Sequence, residues 1–384
     1  MRQVAALTSV YSVVHPRHLY VHVPFCARRC SYCDFSIAVR RETPVDEFLT
    51  ALGTELRLRF PRGASWELDT LYLGGGTPSR LGGGGVARVL DLVREHATLA
   101  PGAEVTVEAN PDDIEPAAVR SWRASGVNRL SIGVQSFDPA VLQWMHRVHD
   151  PAAAVRSVAV ARDAGLTEIS LDLIFALPPS VPRDWSRDLD LALGLEPSHL
   201  SLYGLTIETH TPLGKWAARG DVAESPEERY EEEYLEADRR LTAAGLEHYE
   251  VSNFGRARSR SRHNSSYWSG RPYAAVGPAA HGYDGSQRRW NVAAYAEWVR
   301  RLAAGEDPVG GSEELTPENR VAESVYLGLR TVDGLALSPA EIDRVQRWID
   351  AGWGRLDGSV LRLTALGWLR LDALAADLTV IRSR

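Results

Sequence analysis

Three cysteines lie within eight residues of one another, and the chain contains no others. Cys26, Cys30 and Cys33 form a C-x3-C-x2-C pattern directly after an apolar run typical of a β-strand. Thiolates are soft ligands that suit iron–sulfur clusters or zinc. Three thiolates leave one iron of a four-iron cluster without a protein ligand, and such an open iron is a place for substrate chemistry. The alternative is a closed zinc site with His22 as fourth ligand, for which the spacing is unusual.

A glycine-rich segment, Gly74-Gly75-Gly76-Thr77-Pro78-Ser79, follows the second apolar run. Glycines let a ligand approach the backbone closely and leave carbonyl and N–H groups accessible. The same residues also suit a tight turn between a strand and a helix. No lysine follows, so the segment is not a P-loop. Its predicted position beside the cysteines favours a role in ligand binding.

Polar residues recur where later apolar runs end, and these are Glu108, Gln135, Asp172, Tyr203 and Glu208. Each one alone is equally well explained as a cap of the following helix. Their recurrence at the same end indicates a polar pocket at one mouth of a barrel. Arg147 either pairs with a carboxylate in that pocket or lies on a solvated helix face.

A His–Asn pair is followed by two aromatic residues in the segment from His263 to Trp268. Histidine is a common metal ligand, and Tyr267 and Trp268 offer flat faces for stacking. From the residues alone, a loop anchored by buried aromatic side chains is the favoured interpretation.

The elements that must position these residues alternate between strands and helices in the first half of the chain. The predicted strands are Leu19–Val23, Thr70–Leu73, Glu104–Glu108, Arg129–Val134, Glu168–Ile174 and His199–Leu205. The predicted helices are Asp46–Arg59, Gly85–His96, Glu115–Ser125, Pro139–Met145 and Ala152–Ala164. This alternation predicts an α/β fold with a parallel sheet. Six units are too few for a complete eight-stranded barrel, so we expect a partial (β/α)6 barrel with chemistry at the carboxyl ends of its strands.

The domain organisation predicted from the sequence has four parts. Residues 1–18 are an N-terminal tail, 19–255 the barrel, 256–304 a connecting segment with the H-N-x-x-Y-W motif, and 305–384 a smaller, mainly helical domain. Residues 255–268 are rich in serine and arginine and are predicted to form a loop.

Composition excludes several classes of protein. The 384 residues include 43 Lys and Arg against 50 Asp and Glu, a net charge of −7, which disfavours a nucleic-acid-coating protein. No run of 18 apolar residues is present to span a membrane. Residues 4–14 are interrupted by polar side chains and lack a cleavage pattern, which disfavours an export signal. A thiolate cluster suits a reducing compartment, so the predicted location is the cytoplasm.

Together, the cysteine pattern and the glycine-rich turn resemble the radical S-adenosylmethionine (SAM) superfamily. Within it the chain resembles the oxygen-independent coproporphyrinogen III oxidase family. The further matching segments are residues 20–26, 107–111, 131–137, 172–174 and 177–178.

The resemblance is strongest to the HemW-type haem chaperone branch. Phe35 stands where the oxidases carry a fourth cysteine, and His263 begins the branch's H-N-x-x-Y-W motif. Only some 18 residues precede the first predicted strand, whereas the oxidases have a longer segment there. Two departures from the family are Phe175-Ala176, where Tyr-Gly is usual, and Pro179-Ser180, where Gly is usual.

The resemblance implies a four-iron cluster, SAM and haem as bound groups, with haem passed to acceptor proteins whose identity it does not give. It implies that Cys26, Cys30 and Cys33 hold the cluster. The residues implied to contact SAM are Tyr20, Tyr32, Gly75, Gly76, Thr77, Glu108, Gln135, Arg147 and Asp172. His263 is the candidate ligand to haem iron, with Tyr267 and Trp268 against the macrocycle, and His22 and His149 are the alternative ligands. The alternative function is radical decarboxylation of two porphyrinogen propionates to vinyl groups.

Overall fold

The computed structural model describes residues 15–60 and 66–382. Residues 4–14, considered above as an export signal, and most of the predicted N-terminal tail lie outside the described residues. Within those ranges, no helix combines the length and apolarity needed to cross a bilayer.

A nine-stranded open sheet forms the core of the molecule. Six of its strands are consecutive, mutually parallel neighbours and are called the barrel strands: His18–Val23, Glu67–Gly75, Thr98–Ala109, Arg129–Gln135, Glu168–Phe175 and His199–Gly204. Ala274–Val276 pairs in parallel with the first barrel strand, and the antiparallel strands Asn253–Gly255 and Glu247–Glu250 follow the sixth. This arrangement confirms the predicted α/β partial barrel.

Helices cover the outer face of the sheet because the outward strand residues are apolar. Leu19, Val21 and Val23 alternate with Tyr20 and His22, so one face of the first barrel strand packs under helices and the other faces the interior. The helices of this half are Val45–Arg59, Gly82–Arg94, Pro116–Ser125, Pro139–Trp144, Pro151–Asp163, Trp185–Gly194, Pro212–Ala218 and Glu227–Ala243, with short 3-10 turns at Pro78–Leu81 and Pro111–Asp113.

Local signals set several of these helix boundaries. The Asp138 and Asp150 carboxylates accept hydrogen bonds from backbone N–H groups in the first turns of their helices. Gly126 has φ +106 and ends the Pro116–Ser125 helix in the left-handed conformation that glycine adopts readily.

The remaining chain adds small sheets and helices. The helices are Arg262–Trp268, Tyr295–Ala303, Pro317–Arg330, Pro339–Asp350, Ala365–Trp368 and Leu371–Arg382. The strands are Phe25–Cys26 with Ala38–Val39, then His281–Tyr283, Gln287–Asn291 and Val309–Glu314, and finally Leu335–Ala336, Val360–Leu363 and Gly354–Asp357. The C-terminal region is mainly helical, as expected. The predicted boundary at residue 305 falls between two paired strands, Gln287–Asn291 and Val309–Glu314.

The prediction of a loop over residues 255–268 holds for residues 256–261 and is wrong for the rest of the segment. Residues Arg262–Trp268 form a seven-residue helix, called the motif helix here, which the Ser261 hydroxyl caps by accepting from the Asn264 N–H. Its serine-rich sequence resembles a loop, but contacts with distant strands fix it as a helix.

Candidate functional site

The upper end of the barrel, where the carboxyl ends of the barrel strands meet, carries the three cysteines. Cys26 lies on a two-residue strand just after the first barrel strand, and all three thiols are free and partly exposed. The loop between them is anchored at the buried Ser31, whose N–H donates to the Met145 carbonyl and whose carbonyl accepts from the Leu213 N–H. Tyr32 packs beside the apolar cluster that contains Met145.

Burial raises the pKa of the Cys26 thiol, and it raises that of Cys33 to about 11, to which the neighbouring thiols also contribute. Arg29 donates to the Cys33 carbonyl at 3.2 Å, and its positive charge lowers the pKa of Cys33 too little to outweigh burial. A bound metal reverses this balance, because a coordinated thiol is deprotonated.

His22 is not arranged as a fourth zinc ligand. Its Nε2 lies 3.0 Å from the Ser36 carbonyl oxygen and its Nδ1 lies 3.1 Å from the Tyr20 hydroxyl, so both ring nitrogens are used. Within residues 15–60 and 66–382, no three His, Cys, Asp or Glu side chains are arranged to hold a single metal ion. Three thiols on one loop that do not converge on one ion fit a larger iron–sulfur cluster better than zinc.

The glycine-rich turn packs directly against the start of the cysteine loop. Gly75 has φ +112, and a Cβ there would lie 2.6 Å from the His22 ring. A Cβ on Gly76 would lie 2.6 Å from the Pro24 backbone. Thr77 places its hydroxyl 3.4 Å from the Cys26 sulfur. The glycines are therefore required for close packing of the turn, and Thr77 contacts a candidate cluster ligand.

Glu108 ends the third barrel strand and holds this turn from the inside. One carboxylate oxygen accepts from the Gly75 N–H at 2.9 Å and the other from the Tyr72 hydroxyl at 2.8 Å. Tyr20 stacks on Tyr72 with ring centroids 6.0 Å apart. Burial raises the pKa of Glu108 to about 7, and the charge of Asp172 adds to the shift.

Asp172 lies on the fifth barrel strand and is bound by hydroxyl groups. The Ser131 hydroxyl lies 3.0 Å from both of its oxygens, and Ser170 lies 3.4 Å from one. Burial raises the pKa of Asp172 to about 6. Within the described parts of the chain, neither Asp172 nor Glu108 forms an ion pair. Two partly buried carboxylates without a protein counter-charge fit a positively charged ligand.

Arg147 and Gln135 gather with Asn110 around Gly133. The Arg147 guanidinium donates to the Asn110 side-chain oxygen and to the Gly133 carbonyl, each at 2.6 Å, and lies 3.6 Å from the Cys30 sulfur. The sequence left open whether Arg147 pairs with a carboxylate of this pocket or lies on a solvated helix face. Its observed partners are an amide oxygen and a backbone carbonyl instead. Its buried Nε has no hydrogen-bond partner among the described residues. Gln135 adopts φ +67, a conformation rare for residues other than glycine.

The motif helix lies at the opposite, lower end of the barrel. The His263 N–H donates to Glu104, and its ring nitrogens lie 2.7 Å from the Thr70 hydroxyl and 2.7 Å from the Tyr267 hydroxyl. His263 is 0% exposed, and burial lowers its pKa to about 3. Neither ring nitrogen is available to iron, so this arrangement contradicts the expectation that His263 ligates haem.

The two aromatic residues of the motif are also packed within the protein. Tyr267 contacts the His263 and Tyr273 rings, and Trp268 lies under the Arg330 guanidinium at 4.0 Å. The favoured sequence interpretation, a segment anchored by its aromatic side chains, agrees with this packing, although the two side chains are only partly buried and the segment is a helix.

Three residues that shape the site were not predicted: Tyr72, Ser131 and Asn110. Tyr72 lies two residues before Gly74, and Ser131 lies two residues before Gly133, so each pair shares one face of its strand. This two-residue period on the inward face was the available signal. Asn110 follows Glu108 at the end of the third strand.

Comparison with known proteins agrees with this geometry. Residues 20–192 match the family model described as Radical SAM superfamily. The chain is 39% identical over 369 residues to the Heme chaperone HemW of Mycobacterium tuberculosis, covering 94% of this chain and 95% of that protein. It is 35% identical to the Heme chaperone HemW of Bacillus subtilis, covering 83% and 84% of the two chains.

A solved structure shows the same fold. Coproporphyrinogen III oxidase (HemN) from Escherichia coli, described as a radical SAM enzyme, superposes with a TM-score of 0.79 at 24% identity. The match covers 94% of this chain and 89% of that one.

Proposed function

Because this chain belongs to the HemW heme chaperone family of the radical SAM superfamily, we propose that it binds haem and passes it to acceptor proteins. The observation that carries the proposal is the 39% identity to a HemW protein over nearly the whole chain. Superfamily membership implies SAM and a four-iron cluster. Three free thiols suit a reducing compartment, which supports the cytoplasm as the proposed location.

Cys26, Cys30 and Cys33 are the proposed cluster ligands. Glu108 and Asp172 are suited to the positive charges of SAM or to its ribose hydroxyls, and the Arg147 guanidinium is suited to its carboxylate. Tyr20, Tyr32, Gly75, Gly76, Thr77 and Gln135 complete the proposed SAM pocket. When bound, the cluster and SAM supply one-electron chemistry, while the protein positions them and limits access of water.

The alternative function is decarboxylation of a porphyrinogen, which the assembled pocket at the upper end favours. Phe35 favours the haem-carrier function. Its side chain is 66% exposed beside the cysteine loop, at the position where the oxygen-independent coproporphyrinogen III oxidases carry a fourth cysteine.

Titration of the purified protein with haemin, followed at the Soret band, tests the proposal. We expect a saturable Soret band, together with no conversion of coproporphyrinogen III by the cluster-loaded protein under anaerobic, reducing conditions with SAM. Formation of protoporphyrinogen would contradict the carrier function and assign the chain to the alternative.

A further inference from the structure

We infer that His263 is a positioning residue for the SAM pocket, acting through Tyr72 on the Glu108 carboxylate. The inference rests on the proposed assignment of Glu108 to that pocket. It gives the histidine of the H-N-x-x-Y-W motif a role at the upper end of the barrel although the motif helix lies at the lower end.

Both ring nitrogens of His263 and its backbone N–H form hydrogen bonds within the protein. The ring nitrogens bond to the Thr70 and Tyr267 hydroxyls, and the backbone N–H donates to the Glu104 carboxylate. These partners lie on two barrel strands and on the motif helix itself, so the ring cannot rotate without breaking a buried hydrogen bond.

The fixed His263 ring forms one wall for Tyr72. The two rings are stacked, with centroids 5.0 Å apart and an interplanar angle of 24°. Tyr20 stacks on Tyr72 as well, with an angle of 24°. Contact with these two rings defines the direction in which the Tyr72 hydroxyl points.

The Tyr72 hydroxyl donates a hydrogen bond to one carboxylate oxygen of Glu108 at 2.8 Å. The space around this contact is tight, since a Cβ on Gly74 would lie 2.7 Å from the Tyr72 ring and 3.0 Å from the same oxygen. The other carboxylate oxygen accepts from Gly75 in the turn beside the cysteine loop. A shift of the His263 ring would therefore move the Tyr72 hydroxyl. Through that hydroxyl it would also displace the Glu108 carboxylate and the glycine-rich turn bonded to it.

Equilibrium dialysis of SAM against cluster-loaded protein tests this chain of contacts without relying on turnover. We expect His263→Gln, which loses the flat ring, and Tyr72→Phe, which loses the hydroxyl, each to weaken SAM binding about tenfold, the equivalent of one hydrogen bond. The double variant is expected to bind no more weakly than either single variant, because both act through the same contact. His263→Phe, which restores a ring against Tyr72, is expected to recover part of the affinity.

The control is His96→Gln, which alters a buried histidine whose Nδ1 bonds to the Phe60 carbonyl, away from the pocket. It should leave SAM affinity unchanged. Unaltered SAM affinity in Tyr72→Phe, or effects of the two single variants that simply multiply, would overturn the inference. If His263→Gln does not fold, the SAM affinity of Tyr72→Phe decides in its place. Haemin titration of the wild-type protein tests the proposed function independently of SAM binding. Failure of this inference can therefore be distinguished from failure of the proposed function.

Discussion

The two ends of the barrel differ in how their polar side chains are partnered. At the lower end, His18, Thr70, Glu104 and His263 are buried and hydrogen-bonded within the protein. At the upper end, free thiols, two carboxylates with raised pKa values and a guanidinium with an unpartnered Nε lie close together. A closed network stabilises a fold, whereas unpaired charges and soft ligands in one place are typical of a binding site. We therefore expect ligands to bind at the upper end, whereas the polar residues of the lower end stabilise the fold.

The largest expected difference between the ends is in iron content. Cys30→Ser should remove the cluster, because two thiolates and a hydroxyl are a poor ligand set for iron. The fold should survive, since Cys30 is partly exposed and lies on a loop. Iron analysis after anaerobic reconstitution, beside a thermal melt, measures both. Asp34→Ser, an exposed neighbour, is the control. Full iron content in Cys30→Ser would contradict the assignment of the upper end.

A pH effect on stability should arise from Glu108. Its pKa is raised from 4.5 to about 7 by burial, so the folded protein holds a proton that the unfolded chain releases between those values. Stability of the ligand-free protein should therefore fall as pH rises through this window. Glu108→Gln should flatten the profile and raise the free energy of unfolding at pH 8 by about 1–3 kcal/mol.

Urea unfolding at several pH values measures this effect. The control is Glu42→Gln, a change at an exposed site, which should follow the wild-type profile. Identical slopes for Glu108→Gln and wild type between pH 4.5 and 7 would show that Glu108 does not carry the effect.

At the lower end, two threonines that are both buried should respond differently to valine. The Thr70 hydroxyl lies 2.9 Å from the His18 ring and 2.7 Å from the His263 ring, so Thr70→Val should cost about 1–3 kcal/mol. The Thr106 hydroxyl has no hydrogen-bond partner among the described residues, so Thr106→Val should be close to neutral. Unfolding free energies measure the contrast, and iron content should be unchanged in both. Equal destabilisation would contradict the network described for the lower end.

The smallest expected effect is at Ala176, after the fifth barrel strand. Ala176 has φ +56, a left-handed conformation that costs a side chain about 1–2 kcal/mol. The family resembled by the sequence usually has glycine here. Ala176→Gly should raise the free energy of unfolding by about 0.5 kcal/mol after loss of a buried methyl group. Ala161→Gly, at a buried position in the last turn of the Pro151–Asp163 helix, should be destabilising instead. A loss of stability in Ala176→Gly would show that the strain is relieved elsewhere.

The two ends also differ in how far the sequence predicted them. The positions of Glu108 and Asp172 follow from strand patterns, because parallel strands bring their carboxyl ends to one edge. The cysteine loop could be identified as a candidate site from the spacing of Cys26, Cys30 and Cys33 alone. The lower end was not predictable in this way, since His263 is fixed by Thr70, which is 193 residues away in the chain. A seven-residue helix rich in serine has no local pattern that separates it from a loop.

Haemin titration of His263→Gln tests the separation of the two ends most directly. Both ring nitrogens of His263 are bound within the protein, so we expect a Soret band with the wild-type position and saturation in a variant that still unfolds cooperatively. Loss of the Soret band, or a shift of it in folded His263→Gln protein, would show that the motif histidine reaches haem iron and would contradict the separation of the two ends.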